Sequence, residues 1–187
     1  MRYTHSLRYR FVKHLLLLMA LFSSTTMSAQ KTTVKPISSK VFDKLVFHTG
    51  ACYGACPIYH LEISNKGKMK LYAEHVYKDV AIPDESNENK KKMGYFTGSL
   101  DQKKVTQLEQ AIKVMGPDTI QFKGPNCCDG PIVSIILYYG GQKKSFTAMF
   151  PPEQAATLIN LLNSWCREYA WQRSKTAFTV EDPEPMR

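Results

Sequence analysis

Two runs of alternating residues, 57–64 and 68–77, flank Asn65-Lys66-Gly67, and together they favour one strand register. If Ser64 faces Lys68, then Ile63 faces Met69, Leu61 faces Leu71 and Tyr59 faces Ala73 on one side. On the other side Glu62 faces Lys70 and His60 faces Tyr72. One face is then wholly apolar and the other gains an opposite-charge pair. Slipping the register by one residue would turn the charges into the core. Asn65-Lys66-Gly67 suits a type I turn closed by a glycine bulge. The chain therefore holds a β-hairpin whose apolar face needs a second layer to cover it.

Two amphipathic segments supply that layer. Asp101 caps a predicted helix running to Met115, with Val105, Leu108, Ile112 and Met115 on one stripe, and Gly116-Pro117 ends it. Pro151-Pro152-Glu153 opens the last helix, where proline is tolerated in the first turn. Its buried stripe is Ala155, Leu158, Ile159, Leu162, Trp165, Cys166 and Tyr169. Further strands are expected at 41–48, 93–100 and 132–139, the last apolar on both faces and so central, with Gly140-Gly141 turning into 143–150. Residues 79–92 read as a long polar loop. The fold class is α+β, with one antiparallel β-sheet of about five to six strands covered on one face by two α-helices.

The 187 residues suit one such domain plus appendages. Residues 1–29 read as a signal peptide. Arg2, Arg8, Arg10 and Lys13 form a basic start, residues 15–22 an apolar core, and cleavage is expected between Ala29 and Gln30. Residues 30–40 then form a tether, 41–171 the domain and 172–187 a flexible tail. No apolar run reaches the roughly 18 residues of a spanning helix, so no transmembrane segment is expected in the mature chain. Cleavage removes four cations and no acid from a formal charge of +9, leaving +5. The remaining lysines are dispersed, without the aromatic-interleaved basic stripe of a nucleic-acid reader, so nucleic acid is not an expected partner.

The unusual chemistry lies in Thr49-Gly-Ala-Cys52-Tyr-Gly-Ala-Cys56-Pro57-Ile-Tyr59 and in Asn126-Cys127-Cys128-Asp129-Gly130. The Cys-x-Gly-x-Cys-Pro-x-Tyr run made by Cys52, Gly54, Cys56, Pro57 and Tyr59 resembles an uncharacterised family of exported bacterial domains, domain of unknown function 6438. The resemblance extends to Gly94-Tyr-Phe-Thr-Gly98, Asp129 and the proline-rich start of the final helix, covering roughly residues 42–165. It implies no activity, and no catalytic residue is carried over from it.

Read physically, Cys52, Cys56, Cys127 and Cys128 are disulfide candidates in an oxidising compartment. A Cys52–Cys56 bridge closes a small ring worth about 2 kcal/mol. A bridge from either to Cys127 or Cys128 closes more than seventy residues and is worth about 4.5 kcal/mol. Four cysteines allow three pairings, and geometry decides among them. Cys166 reads as a buried, inert thiol. The competing possibility is a thiolate site for copper or zinc, or a thiol-redox protein, built on the Cys-x3-Cys-Pro motif with Cys52, Cys56, His48 and His75. In the hairpin register His75 falls opposite Pro57, next to Cys56.

No Gly-x-Ser-x-Gly elbow, His-Glu-x-x-His pair or phosphate-cradling glycine series is present. The expectation is an exported module, periplasmic or secreted, that is not an enzyme and carries no cofactor. It would bind an unknown protein or envelope component, or stabilise an assembly. A cysteine clamp would join the first strands to the loop before the central strand.

Overall fold

A computed structural model describes residues 41–79, 84–123 and 130–183. Strands β1 (Lys44–Thr49), β2 (Ile58–Ser64), β3 (Lys68–His75) and β4 (Gly94–Ser99) precede helix α1 (Gln102–Met115). Then come β5 (Val133–Tyr139), β6 (Gln142–Ala148), α2 (Ala156–Glu168) and the short β7 (Gln172–Arg173). All seven strands form one antiparallel sheet in the order β6-β5-β1-β2-β3-β4-β7.

The hairpin adopts the expected register, with Ile63 opposite Met69, Leu61 opposite Leu71 and Glu62 opposite Lys70. Its turn is held by Gly67 N–H donating to the Ser64 carbonyl at 2.9 Å. Gly67 has φ +72°, and a Cβ there would stand 2.8 Å from the Leu100 carbonyl oxygen. Glycine is required on both counts, because the turn docks directly on the β4–α1 junction. One detail departs from the alternation. A bulge between Ile58 and Tyr59 moves His75 opposite Ile58, one residue away from the expected Pro57. A bulge places two residues against one, and simple counting along the strands has no means of locating it.

Both helices cover the same face. Leu108, Ile112 and Met115 of α1 and Leu158, Leu162 and Trp165 of α2 join a core with Leu45, Phe47, Leu61, Ile63, Leu71 and Ile135. Asp101 Oδ1 caps α1 by accepting from Lys104 N at 2.8 Å, and Gly116 ends it at φ +63°. The sheet has one strand more than expected. β7 is two residues long, too short to show alternation, and is anchored by its side chain. Arg173 donates to the Met93 and Lys91 carbonyls at 3.0 and 2.8 Å and lies over the Phe96 ring.

The other face of the sheet is partly covered by the stretch assigned to the tail, whose described portion runs to Pro183. Val180 packs on Val46 and Ile136 and is 7% exposed. Phe178 meets the Tyr95 ring edge-on. Glu181 accepts from Lys44 at 2.7 Å and Tyr138 at 2.6 Å and pairs with Lys143 at 3.1 Å. Burial works upward on the Glu181 carboxyl, but these three donors outweigh it and hold the group at about 2. Ending the chain after Ala177 should remove about 2 kcal/mol of stability, mainly through Val180. It should also raise binding of a hydrophobic dye as Val46 and Ile136 become exposed. Urea unfolding checks the first and dye fluorescence the second.

Candidate functional site

The Cys52–Cys56 loop closes one end of the sheet. Its two ends are drawn together by Thr49, whose Oγ1 donates to the Pro57 carbonyl at 2.8 Å and accepts from Tyr59 N at 3.0 Å. Gly50 N–H donates across to the Ile132 carbonyl at 2.7 Å. Within this frame Cys52 and Cys56 form a disulfide, their Cα atoms 5.7 Å apart. The pairing overturns the expected clamp, since neither cysteine remains to bridge to Cys127 or Cys128. Loop entropy favours the longer ring, but the turn already holds Cys52 and Cys56 at bonding distance, and separation in space decides. Cys127 and Cys128 lie outside the described residues, as do Ala29 and Gln30.

The bridge also removes both thiolates from the proposed metal set. His48 and His75 do not converge on it. Strand alternation puts His48 on the face of Val46 and His75 on the face of Leu71 and Ala73. His75 Nδ1 instead sits 2.7 Å from Glu88 Oε1. Hydrogen bonds from Lys90 and His75 hold the Glu88 carboxyl below the usual range. Among the described residues no group of three or more His, Cys, Asp or Glu is placed to hold a metal ion.

Beneath the disulfide loop two small cavities of about 150 and 180 Å³ adjoin, sharing Tyr59, Val76, Lys92 and Arg167 as walls. Ala55, Pro57 and Tyr77 complete the outer one. Leu71, Phe96, Cys166 and Trp171 line the inner one. Tyr59 is only 2% exposed, and burial followed by the neighbouring Cys166 pushes its phenol up to about 12, against the pull of Arg167. It is therefore a neutral hydrogen-bond donor at any ordinary pH. Burial likewise drives the Cys166 thiol far upward, leaving it unreactive.

Residues 43–165 match the family described as Domain of unknown function (DUF6438). The chain belongs to that family. No curated protein is significantly similar to it. The match to DUF6438 spans β1 through most of α2, and so contains the disulfide loop, Tyr59, Val76 and Lys92. Arg167, Tyr169, Trp171 and β7 follow the matched segment. This DUF6438 domain thus builds its cleft partly from residues beyond the matched region.

A second polar cluster lies on the opposite face of the DUF6438 sheet. His48 Nδ1 and His60 Nδ1 are 2.8 Å apart, and His60 Nε2 is 3.1 Å from Glu74 Oε2. A carboxylate only accepts, so His60 Nε2–H donates to Glu74. Between the two Nδ1 atoms one nitrogen donates and the other accepts. His48 Nε2 is a buried atom with no hydrogen-bond partner among the described residues. Burial, with His60 adding to it, lowers the His48 imidazole to about 4, although the Glu181 main chain and the Asp182 and Glu181 carboxylates pull the other way. Tyr72 stacks on His60 and Tyr95 on Tyr72.

Tyr59 was legible as a strand residue of the cysteine motif. The contributions of Arg167, Lys92 and Trp171 to the cleft were not. They come from the end of α2, a turn before β4 and the chain after α2, and only the folded sheet brings them together. Converting Cys52 to serine should cost about 2 kcal/mol and make Cys56 reactive, checked by urea denaturation and thiol alkylation. Unchanged stability would mean that the Thr49 hydrogen bonds suffice to hold the loop.

Proposed function

We propose that this DUF6438 domain is an exported, non-enzymatic binding module that works in an oxidising compartment through the end of the sheet closed by Cys52 and Cys56. The observation that carries the proposal is the juxtaposition at that end. A disulfide fixes a loop whose tip, Tyr53, is 88% exposed, directly beside a cleft walled by Tyr59, Lys92 and Arg167. Exposed aromatic side chains on a rigid loop supply contact area at low entropic cost. A surface disulfide of this kind persists where thiols are not kept reduced, and the basic-apolar-small pattern of residues 1–29 supports the same address.

The test is to express the full chain in a bacterium with two membranes and separate its compartments. The expected product lies outside the cytoplasm, starts at Gln30 by intact mass and carries the Cys52–Cys56 bridge in its peptide map. An uncleaved cytoplasmic product with both thiols alkylatable would overturn the proposal.

A further inference from the structure

Resting on the site just proposed, we infer that the cleft beneath the disulfide loop binds a small apolar carboxylate, with Arg167, Lys92 and Tyr59 taking the acid group and the apolar walls of the cleft taking the apolar body. The donors are unsatisfied from within the protein. Among the described residues neither Arg167 nor Lys92 has a carboxylate within ion-pair distance. The Tyr59 hydroxyl likewise makes no hydrogen bond to a described residue, although Tyr59 is almost wholly buried. Tyr59 walls both cavities, so its hydroxyl opens onto the cleft, where beside two cations it can donate to a bound acceptor.

The sign and shape of the occupant follow from the walls. Lys92 and Arg167 border both cavities, and Lys91 adds a third cation to the inner one. The carboxylates nearest in sequence to the lysines are engaged elsewhere, Glu88 by His75 and Lys90. An anion is therefore favoured, and a planar carboxylate fits the fork of a guanidinium. Leu71, Phe96 and Trp171 in the inner cavity and Ala55, Pro57 and Val76 in the outer one also give the cleft apolar wall, which suits a ring or a short alkyl chain. Each cavity is smaller than the roughly 300 Å³ at which pockets for drug-sized ligands begin, so the occupant is small. Two sources share this chemistry, a free acid and the C-terminus of a peptide ending in an apolar residue.

The mature, disulfide-bonded protein is titrated with 3-phenylpropionate, with its amide, and with an N-acetylated tripeptide ending in Phe, as acid and as amide. Amide chemical shifts and the fluorescence of Trp165 and Trp171, the two tryptophans of the chain, report binding. The expected result is saturable binding of the acids, with a Kd on the order of 1 mM or tighter, and about tenfold weaker binding of the amides. Preference for the free acid or for the peptide identifies the source. Arg167 is exposed, so Arg167→Gln should leave the fold intact while weakening the acids by about tenfold and the amides hardly at all. Tyr59→Phe, which keeps the packing, should weaken the acids several-fold.

Equal binding of acids and amides, or indifference to Arg167→Gln, would overturn the assignment of a carboxylate while leaving a binding cleft in place. Absence of any shift at cleft residues with all four compounds would overturn the assignment as well. Neither result bears on export or on the disulfide, which are read by fractionation and peptide mapping.

Discussion

Replacing Trp165 with alanine should lower the free energy of unfolding by about 3–5 kcal/mol and the melting temperature by on the order of 10 °C. The ring is 7% exposed and belongs to the core between α2 and the sheet. Its removal would leave a cavity that the close-packed core around it is too rigid to close. The position also organises the chain that follows, because the Trp165 carbonyl accepts from Tyr169 N at 3.2 Å and from Trp171 Nε1 at 3.0 Å. Trp165→Phe should recover most of the loss by retaining an aromatic body in the same space. Differential scanning calorimetry on the two variants checks both statements, and a melting temperature unchanged in the alanine variant would show that the ring contributes no packing.

Acidification should destabilise the domain through His48 before its surface ion pairs break. The imidazole is at about 4 in the folded protein, against 6.5 for the ordinary group. Between those values the unfolded chain binds a proton that the folded chain does not, so stability is full above about pH 6.5 and falls as the pH drops. By about pH 4 the loss amounts to roughly 3 kcal/mol. Glu181 acts with the same sign in a lower window, its depressed carboxyl contributing stability that is present above the ordinary carboxylate value of 4.5 and lost as pH falls from there through about 2. Urea midpoints from about pH 7 to about pH 4 should therefore decline steeply in the native protein. They should decline much less in His48→Leu, which has nothing at that position to protonate. Parallel curves for the two proteins would exclude His48 as the source.

The hairpin and both helices were readable because each satisfies a simple period. The stripes Val105, Leu108, Ile112, Met115 and Leu158, Leu162, Trp165 bury as the spacing requires. β1 was harder, since Leu45, Val46, Phe47 and His48 are all buried and show no alternation by which to fix a register. Without its pairing to β2, which sets His48 opposite His60, the chain from His48 through His60 to Glu74 has no sequence signature. The covering of the second sheet face was hidden for a similar reason. Phe178 and Val180 are too short a pair to show a period, and what buries Val180 is the patch formed by Val46 on β1 and Ile136 on β5. The cysteine pairing illustrates the limit of chain entropy as a guide. It ranks rings by length, whereas Thr49 and the tight turn had already set Cys52 against Cys56.

The central position of β1 has a consequence for how the molecule is made. One neighbour, β2, follows within a few residues, but the other is β5, with Lys44 opposite Tyr138. A growing chain can form the β2–β3 hairpin early, yet one side of β1 stays open through the synthesis of β3, β4 and α1. Contacts of such long sequence separation form slowly, and an open apolar strand edge invites pairing with other chains. The vulnerable interval of biogenesis therefore ends only when residues 133–139 arrive. A holding factor that shielded this single strand would be enough to keep the whole polypeptide from completing its fold.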